Sequence, residues 1–547
     1  MTSRVPMPET VSMHTRDGVR LDADLYVPEG EGPFPALLMR QPYGRRIAST
    51  VTYAHPSWYA ERGYLVVIQD VRGRGTSEGS FEPFINEQQD GEDTLTWLAD
   101  LPLCNGRIGM YGFSYQGVTQ LFAAASGHPA LQAIAPAMTG FRLERDWAYE
   151  GGAFRLQNSL SWAAQLGAES DRRDGNHDRF AQRYRLGHGP GADELIDPAS
   201  PAVREMLGGT FYGEWLDQDL DSDYWRQHSV AGCLPVVDLP ALHVGGWFDS
   251  FLTGTLATFD YLRAGAGHQR LVIGPWTHLP WTPAVGQAWL GEAAQSHIDA
   301  LQLRWFDHYL KGQDTGVEDD PLVELYDLRA NRWRAYADYP AAPGSRLSLA
   351  SDGSAGFNIQ GGRLGAAPDV EATVDTLIHD PWRPVPAVGG HLAPSPGMHD
   401  RTVVDARPDV LTYTGAPLAA DQQLAGPVRV TLNAAADADS FDLCAVLSVV
   451  DADGRARNLT QGYARARGNG PVAVDLRGTC ALLRAGERLR LSVSGACYPA
   501  YALNDGSGRA PGAIRAGDLR IITLSVNTQG SWIELPAQSL AVKEENS

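Results

Sequence analysis

A serine held between two glycines constrains this chain more than any other feature. The stretch Gly112-Phe113-Ser114-Tyr115-Gln116-Gly117 follows Arg107-Ile108-Gly109-Met110-Tyr111, which reads as a short buried strand. It precedes Val118-Thr119-Gln120-Leu121-Phe122-Ala123-Ala124-Ala125, which reads as the opening turns of a helix. A strand that turns directly into a helix here must bring two backbones close together, which Gly112 and Gly117 permit because they lack Cβ atoms. Ser114 then takes a strained conformation that lifts its Oγ above the sheet. It also sits at a helix N-terminus, where negative charge developing in a reaction is favoured. The spacing predicts a nucleophile.

The surrounding pattern predicts the sheet that such a turn needs. Residues 10–28 read as a hairpin turning at Asp17-Gly18, with alternating apolar positions on either side. Pro35-Ala36-Leu37-Leu38-Met39-Arg40 and Tyr64-Leu65-Val66-Val67-Ile68-Gln69 are continuous apolar runs, as expected of central strands buried on both faces. Leu95, Trp97, Leu98 and Leu101 mark a helix between Asp90 and Leu101. Alternating strands and helices imply a mostly parallel sheet with crossovers. From about residue 143 to 237 the strand runs stop, Trp, Tyr, Arg and acidic residues accumulate, and helical spacing recurs around Leu156–Leu166. Strands return at Ala241–Gly246 and Arg270–Gly274, and a helix over 294–310 closes the unit. Beyond about 345, Gly, Pro and Asp punctuate short alternating segments at 411–413, 428–432, 443–450, 488–493 and 519–524, the signature of a β-sandwich or jelly roll. The expected organisation is an α/β-hydrolase domain over 1–142 and 238–345, a helical cap inserted at 143–237, and an all-β jelly roll over 346–547.

At 547 residues the chain exceeds what one core supports. Its net charge of −20 argues against nucleic acid and anionic membranes as partners. No long apolar run spans a membrane, and Met1–Pro6 lacks the apolar core of a signal peptide. The five cysteines are scattered, with no C-x-x-C pair. They read as small apolar residues in a reducing cytoplasm, with no metal bound. Oligomeric state is left open, a homodimer included.

A serine hydroxyl attacks a carbonyl only when an oriented base removes its proton. In this fold the acid and then the histidine follow the serine, on loops after later strands. Asp249 lies after the first strand beyond the insertion, in Gly245-Gly246-Trp247-Phe248-Asp249. His278 lies at the end of the next, in Gly274-Pro275-Trp276-Thr277-His278. Among the other histidines, His243 falls within a strand and reads as structural, and His297 and His308 fall on the closing helix. Asp260 competes as the acid but sits on a helical pattern.

Arg40-Gln41-Pro42-Tyr43, the 67–79 loop, the Ser114 turn, Gly246-Trp247-Phe248-Asp249 and Gly274–His278 together resemble the cocaine-esterase-like (CocE/NonD) serine hydrolases, relatives of the Xaa-Pro dipeptidyl-peptidases and α-amino-acid ester hydrolases. The resemblance implies a Ser114–Asp249–His278 triad. It implies an oxyanion hole made by the Tyr43 hydroxyl and the Tyr115 backbone N–H. It further implies aromatic walls for the acyl group, with Trp147, Trp162 and Phe251 as candidates. The expected reaction is hydrolysis of a small-molecule carboxylic ester through an acyl-enzyme, without cofactor. The alternative is action on amides or acyl transfer, as a dipeptidyl-peptidase or amino-acid ester hydrolase. That would need a carboxylate for the substrate's ammonium, for which Glu144, Asp146, Glu150, Glu169, Asp171, Asp221 and Asp223 are available.

Overall fold

The computed structural model describes residues 8–46, 50–189, 195–366 and 371–537. The N-terminal stretch read for a targeting signal lies outside them. The first sheet opens with β1 (Glu9–His14) and β2 (Arg20–Tyr26), followed by β3 (Phe34–Gln41), β4 (Leu65–Asp70), β5 (Cys104–Phe113) and β6 (Leu131–Ala137). The β1–β2 ladder closes at His14 opposite Arg20, around the predicted turn. Helices α1 (Pro56–Ala60), α2 (Glu87–Ala99) and α3 (Tyr115–Ala125) connect these strands. The helix expected from Asp90 begins earlier, at Glu87, because Glu87 is drawn inward by the buried Arg40.

After β6 the chain leaves the sheet and returns about a hundred residues later. Between lie α4 (Leu143–Asp146), α5 (Leu156–Arg173), α6 (His177–Leu186), α7 (Pro201–Met206), α8 (Tyr212–Asp217) and α9 (Asp223–His228). The purely helical expectation is corrected by a two-stranded hairpin, β7 (Tyr149–Glu150) with β8 (Ala153–Phe154). Two-residue strands carry no periodicity to read. The sign of the turn is Gly151-Gly152, at φ +54° and +85°.

The sheet resumes with β9 (Ala241–Phe248) and β10 (Gln269–Thr277), separated by α10 (Leu252–Leu262). A small hairpin, β11 (Ala284–Val285) with β12 (Ala288–Trp289), and helix α11 (Ile298–Lys311) precede the edge strands β13 (Val323–Asp327) and β14 (Arg332–Tyr336). The strand order is β1-β2-β4-β3-β5-β6-β9-β10-β13-β14. From β4 to β13 the pairs run parallel, as buried crossover sheets do. The expected α/β-hydrolase-like domain is therefore present. Tyr43, Ser114, Asp249 and His278 all follow the C-terminal ends of its strands, the edge where such sheets hold ligands.

A separate all-β unit follows. Its strands are β15 (Pro343–Ser351), β16 (Gly362–Gly365), β17 (Val374–His379), β18 (Val410–Gly415), β19 (Gln422–Ala436), β20 (Ser440–Val450), β21 (Ala456–Arg467), β22 (Gly470–Leu483), β23 (Arg488–Ser494) and β24 (Ile522–Pro536). They run in the order β21-β20-β23-β18-β16-β15-β24-β19-β22, with β17 beside β24. The path curls back on itself: the Thr460 hydroxyl of β21 donates to the Arg477 carbonyl of β22 at 2.6 Å. The segment expected as a strand from 519 starts only at Ile522, because Ala516–Asp518 forms a 3-10 turn whose Asp518 carboxylate accepts from the Arg515 N–H. Among the described residues, no helix is long and apolar enough to cross a membrane.

Candidate active site

Ser114 sits between β5 and α3 at φ +61° and ψ −126°, a conformation costing on the order of 1–3 kcal/mol for a residue with a side chain. The surroundings enforce it. Its N–H donates to the Ala137 carbonyl at 3.0 Å, and its carbonyl accepts from Gly117 N at 2.9 Å and from the Thr139 hydroxyl at 3.0 Å. A Cβ on Gly112 would lie 2.4 Å from Gln116 Cβ, and one on Gly117 2.7 Å from Thr139 Cβ. Both glycines are thus required by close approach, as the sequence implies.

His278 and Asp249 come together from adjacent strands. His278 Nδ1 donates to Asp249 Oδ1 at 2.8 Å, while Asp249 Oδ2 accepts from Phe251 N at 3.0 Å. The Asp249 side chain is fully buried and that of His278 partly exposed. A proton fixed on Nδ1 leaves the lone pair on Nε2. The His278 ring lies 5.3 Å from that of Phe113, the residue preceding Ser114. Ser114 and His278 share no direct hydrogen bond here. The Ser114 side chain instead neighbours the Tyr43 hydroxyl as a hydrogen-bonding partner.

Tyr43 follows β3, in a loop clamped from below. Arg74, almost fully buried, donates from Nε to the Pro42 carbonyl at 2.8 Å. Arg45 bonds Asp70 through its backbone N–H at 2.7 Å and its guanidinium at 2.6 Å. A Cβ on Gly75 would lie 1.9 Å from Asp70 Oδ2, so the Arg-Gly-Arg-Gly loop is built around that carboxylate. Trp162 Nε1 donates to the Tyr43 hydroxyl at 3.2 Å. Because an indole only donates, the phenol oxygen accepts there and keeps its own proton free to donate. Burial pushes the Tyr43 pKa up to about 12, so it stays protonated.

Tyr115 contributes differently with its two ends. Its backbone N–H opens α3, where no intrahelical acceptor exists. Its fully buried phenol donates to Glu87 Oε1 at 2.7 Å and stacks on Phe84 at 4.8 Å. Glu87 in turn pairs with Arg40 at 2.8 Å beneath the elbow.

The three aromatic candidates form one surface. Trp147 lies 4.1 Å from Phe251 and 5.3 Å from Trp162, and Phe251 meets the His278 ring edge-on at 5.0 Å. Sequence reasoning missed Phe84, which contacts both tryptophans at 5.3 and 6.0 Å. It carries no local pattern, but its φ of +74° marks an unusual turn. A cavity of about 520 Å³ opens beside Tyr43, lined by Arg74, Leu166, Glu169 and Tyr184 among others. The competing residues stand apart. His243 is buried against Gln269 at 2.9 Å with its pKa pushed down to about 4 by burial, and Asp260 is exposed on α10.

The insertion's acidic residues differ in their surroundings: Glu169 pairs with Arg172 and lines the cavity beside Tyr43, and Glu144, near Arg145, has a buried Oε2 without a hydrogen-bond partner. Asp146 accepts from the backbone N–H groups of Phe141 and Arg142, and burial raises its pKa to about 7. Glu150 pairs with Arg155, Arg477 and His391, and Asp171 with Arg183. Asp221 and Asp223 lie exposed beside Arg145 and Arg226.

Residues 17–280 match the X-Pro dipeptidyl-peptidase (S15 family), and residues 315–514 match the X-Pro dipeptidyl-peptidase C-terminal non-catalytic domain. The chain is 32% identical to a cocaine esterase of Rhodococcus sp. (strain MB1 Bresler), over 94% of its own length and 95% of the relative's. In structure it resembles an aminopeptidase from a marine sediment Thaumarchaeota archaeon, with TM-score 0.80, 22% identity and 98% of each chain covered. An α-amino acid ester hydrolase gives TM-score 0.77 at 22% identity, again over 98% of each chain. The chain belongs to the cocaine-esterase-like (CocE/NonD) branch of the S15 serine hydrolases.

Proposed function

We propose that the protein hydrolyses small carboxylic esters through an acyl-enzyme on Ser114, with His278 as base and Asp249 as its orienting acid. The observation that carries this is the 2.8 Å Asp249–His278 bond beside a serine held at positive φ against a tyrosine hydroxyl. Attack requires the Ser114 hydroxyl to turn from Tyr43 to His278 Nε2. Such hydrogen bonds often close only around substrate. His278 takes the serine proton as Oγ bonds to the carbonyl carbon. The carbonyl oxygen, now negative, accepts from the Tyr43 hydroxyl and the Tyr115 N–H. Collapse of this intermediate expels the alcohol, protonated by His278, and a water activated by the same imidazole releases the acid.

Trp147, Trp162 and Phe251 wall the acyl side, which suits an apolar acyl or aryl group. The same residues weigh against a dipeptidyl-peptidase. An α-ammonium needs a buried, uncommitted carboxylate, whereas the surface beside His278 is aromatic, Glu150 is already tied to two arginines, and Glu169, on the cavity beside Tyr43, pairs with Arg172. We read 1–142 with 238–345 as the catalytic domain, 143–237 as a helical cap over the pocket, and 346–547 as a jelly roll buttressing it. Strand β15 begins three residues ahead of the last boundary. Five free thiols suit a reducing cytoplasm. A panel of p-nitrophenyl acyl esters set against Ala-Pro and Gly-Pro anilides tests the assignment. Turnover of the esters with little or none of the anilides is expected, and turnover of the anilides alone overturns it.

A further inference from the structure

The loop that carries Asp249 is held from another domain. Arg477, on β22, donates from Nη1 to the Asp249 carbonyl at 2.9 Å and from Nη2 to the Ser250 carbonyl at 3.0 Å. Arg155, just before α5, donates to the same Ser250 carbonyl at 3.0 Å and to the Asp146 carbonyl at 2.8 Å. Between the two guanidinium groups lies Glu150 Oε2, 3.0 Å from each, and it also accepts from His391 Nε2 at 2.9 Å. The Tyr501 hydroxyl lies 3.4 Å from that same nitrogen.

This cluster joins three parts of the chain at one point. Glu150 arrives on the β7–β8 hairpin, which is pressed into β21 so closely that a Cβ on Gly151 would sit 1.9 Å from the Tyr463 carbonyl. The Phe154 carbonyl accepts from Ala502 N at 3.0 Å on the same side. Burial works to raise the Glu150 carboxyl, but Arg477, His391 and Arg155 together hold it well below the ordinary range. His391, buried and beside Arg477, is pushed down to about 4 and is neutral. Without Arg477 the Asp249 carbonyl, in a buried turn, would lose its side-chain donor and the Ser250 carbonyl would keep Arg155 alone.

We infer that Arg477 is a positioning residue for the proposed catalytic acid: its fork, set by Glu150, fixes the Asp249–Ser250 backbone so that the Asp249 carboxylate meets His278. Through it the all-β unit, which supplies no group to the reaction, becomes necessary for turnover. The inference rests on the reading of Asp249 as the triad acid.

The test is Arg477→Lys, which keeps the charge but cannot bridge two carbonyls in one plane. Its control is Arg465→Lys, whose guanidinium is similarly buried on the neighbouring strand but binds Asp442 and the Ala502 carbonyl instead. Arg477→Lys is expected to lose kcat by on the order of 10²-fold, the scale of an ångström's misplacement, with KM little changed because nothing in the cluster touches substrate. The acidic limb of kcat/KM moves to lower pH, since a loosened Asp249 favours the imidazolium less. Arg465→Lys keeps the wild-type kcat and limb. Wild-type kcat in Arg477→Lys overturns the inference. So does an equal loss in both variants without movement of the limb. Should Arg477→Lys not fold, Arg477→Gln, which retains a donor, is read by the same division between kcat and KM. Asp249→Asn in the same assay separates the two failures. Full activity there overturns the acid assignment, whereas inactivity there with a wild-type Arg477→Lys overturns the positioning role alone.

Discussion

Asp249→Asn lowers kcat on p-nitrophenyl esters by roughly 10⁴-fold, while KM and the circular dichroism spectrum stay near wild type. The cause is the tautomer. The carboxylate accepts the Nδ1 proton of His278 at 2.8 Å, and a second oxygen is already engaged by the Phe251 N–H. An amide fits the same space, but it turns its oxygen to the Phe251 N–H and presents an NH₂ donor to Nδ1. The imidazole proton moves to Nε2, and the base that Ser114 needs is gone. The protonated imidazole also loses its buried counter-charge. At about 1.4 kcal/mol per tenfold, the expected loss is about 5.5 kcal/mol of transition-state stabilisation. Steady-state kinetics on purified variant and wild type measure it. A loss of less than tenfold places the acid elsewhere.

Tyr43→Phe lowers kcat by a factor of about 10² to 10³ with little effect on stability. The ring still packs in its loop, and only the hydroxyl is lost. That hydroxyl accepts from Trp162 Nε1 and so keeps its proton for the substrate oxygen. Its pKa, pushed up to about 12 by burial, keeps it a donor throughout the neutral and mildly alkaline range. Wild-type kcat therefore shows no basic limb from this group below about pH 11. A Tyr43→Phe enzyme with unchanged turnover would reduce Tyr43 to packing beneath the elbow.

The residues of the proposed reactive centre could be picked out in the sequence because most of the signals are local. Gly112 and Gly117 are fixed by contacts within a few residues or at the next strand. Asp249 and His278 each end a continuous apolar run, so strand periodicity alone finds their positions. Tyr43 needed the family resemblance, since a tyrosine after a strand has no periodicity of its own. The supporting structure was not legible. Arg477 lies 228 residues from the carbonyl it holds, and an arginine among alternating strand residues reads as solvent-facing. Glu150 is one of many carboxylates in the insertion, and nothing in its local sequence sets it apart from the others. Only the docking of the β7–β8 hairpin on β21 turns it into the hub of a buried ion cluster. The long strands β21 and β22 were missed for a related reason. Their burial comes from both the sheet and the neighbouring domain, which blurs the alternation that marks a half-exposed strand.

The central claim is that Ser114 becomes covalently acylated. Peptide mass spectrometry after incubation with a fluorophosphonate tests it most directly. One adduct is expected, on the peptide carrying Ser114, and it should vanish in Ser114→Ala. A wild-type protein left unmodified, or a Ser114→Ala protein labelled to the same extent, would contradict the account.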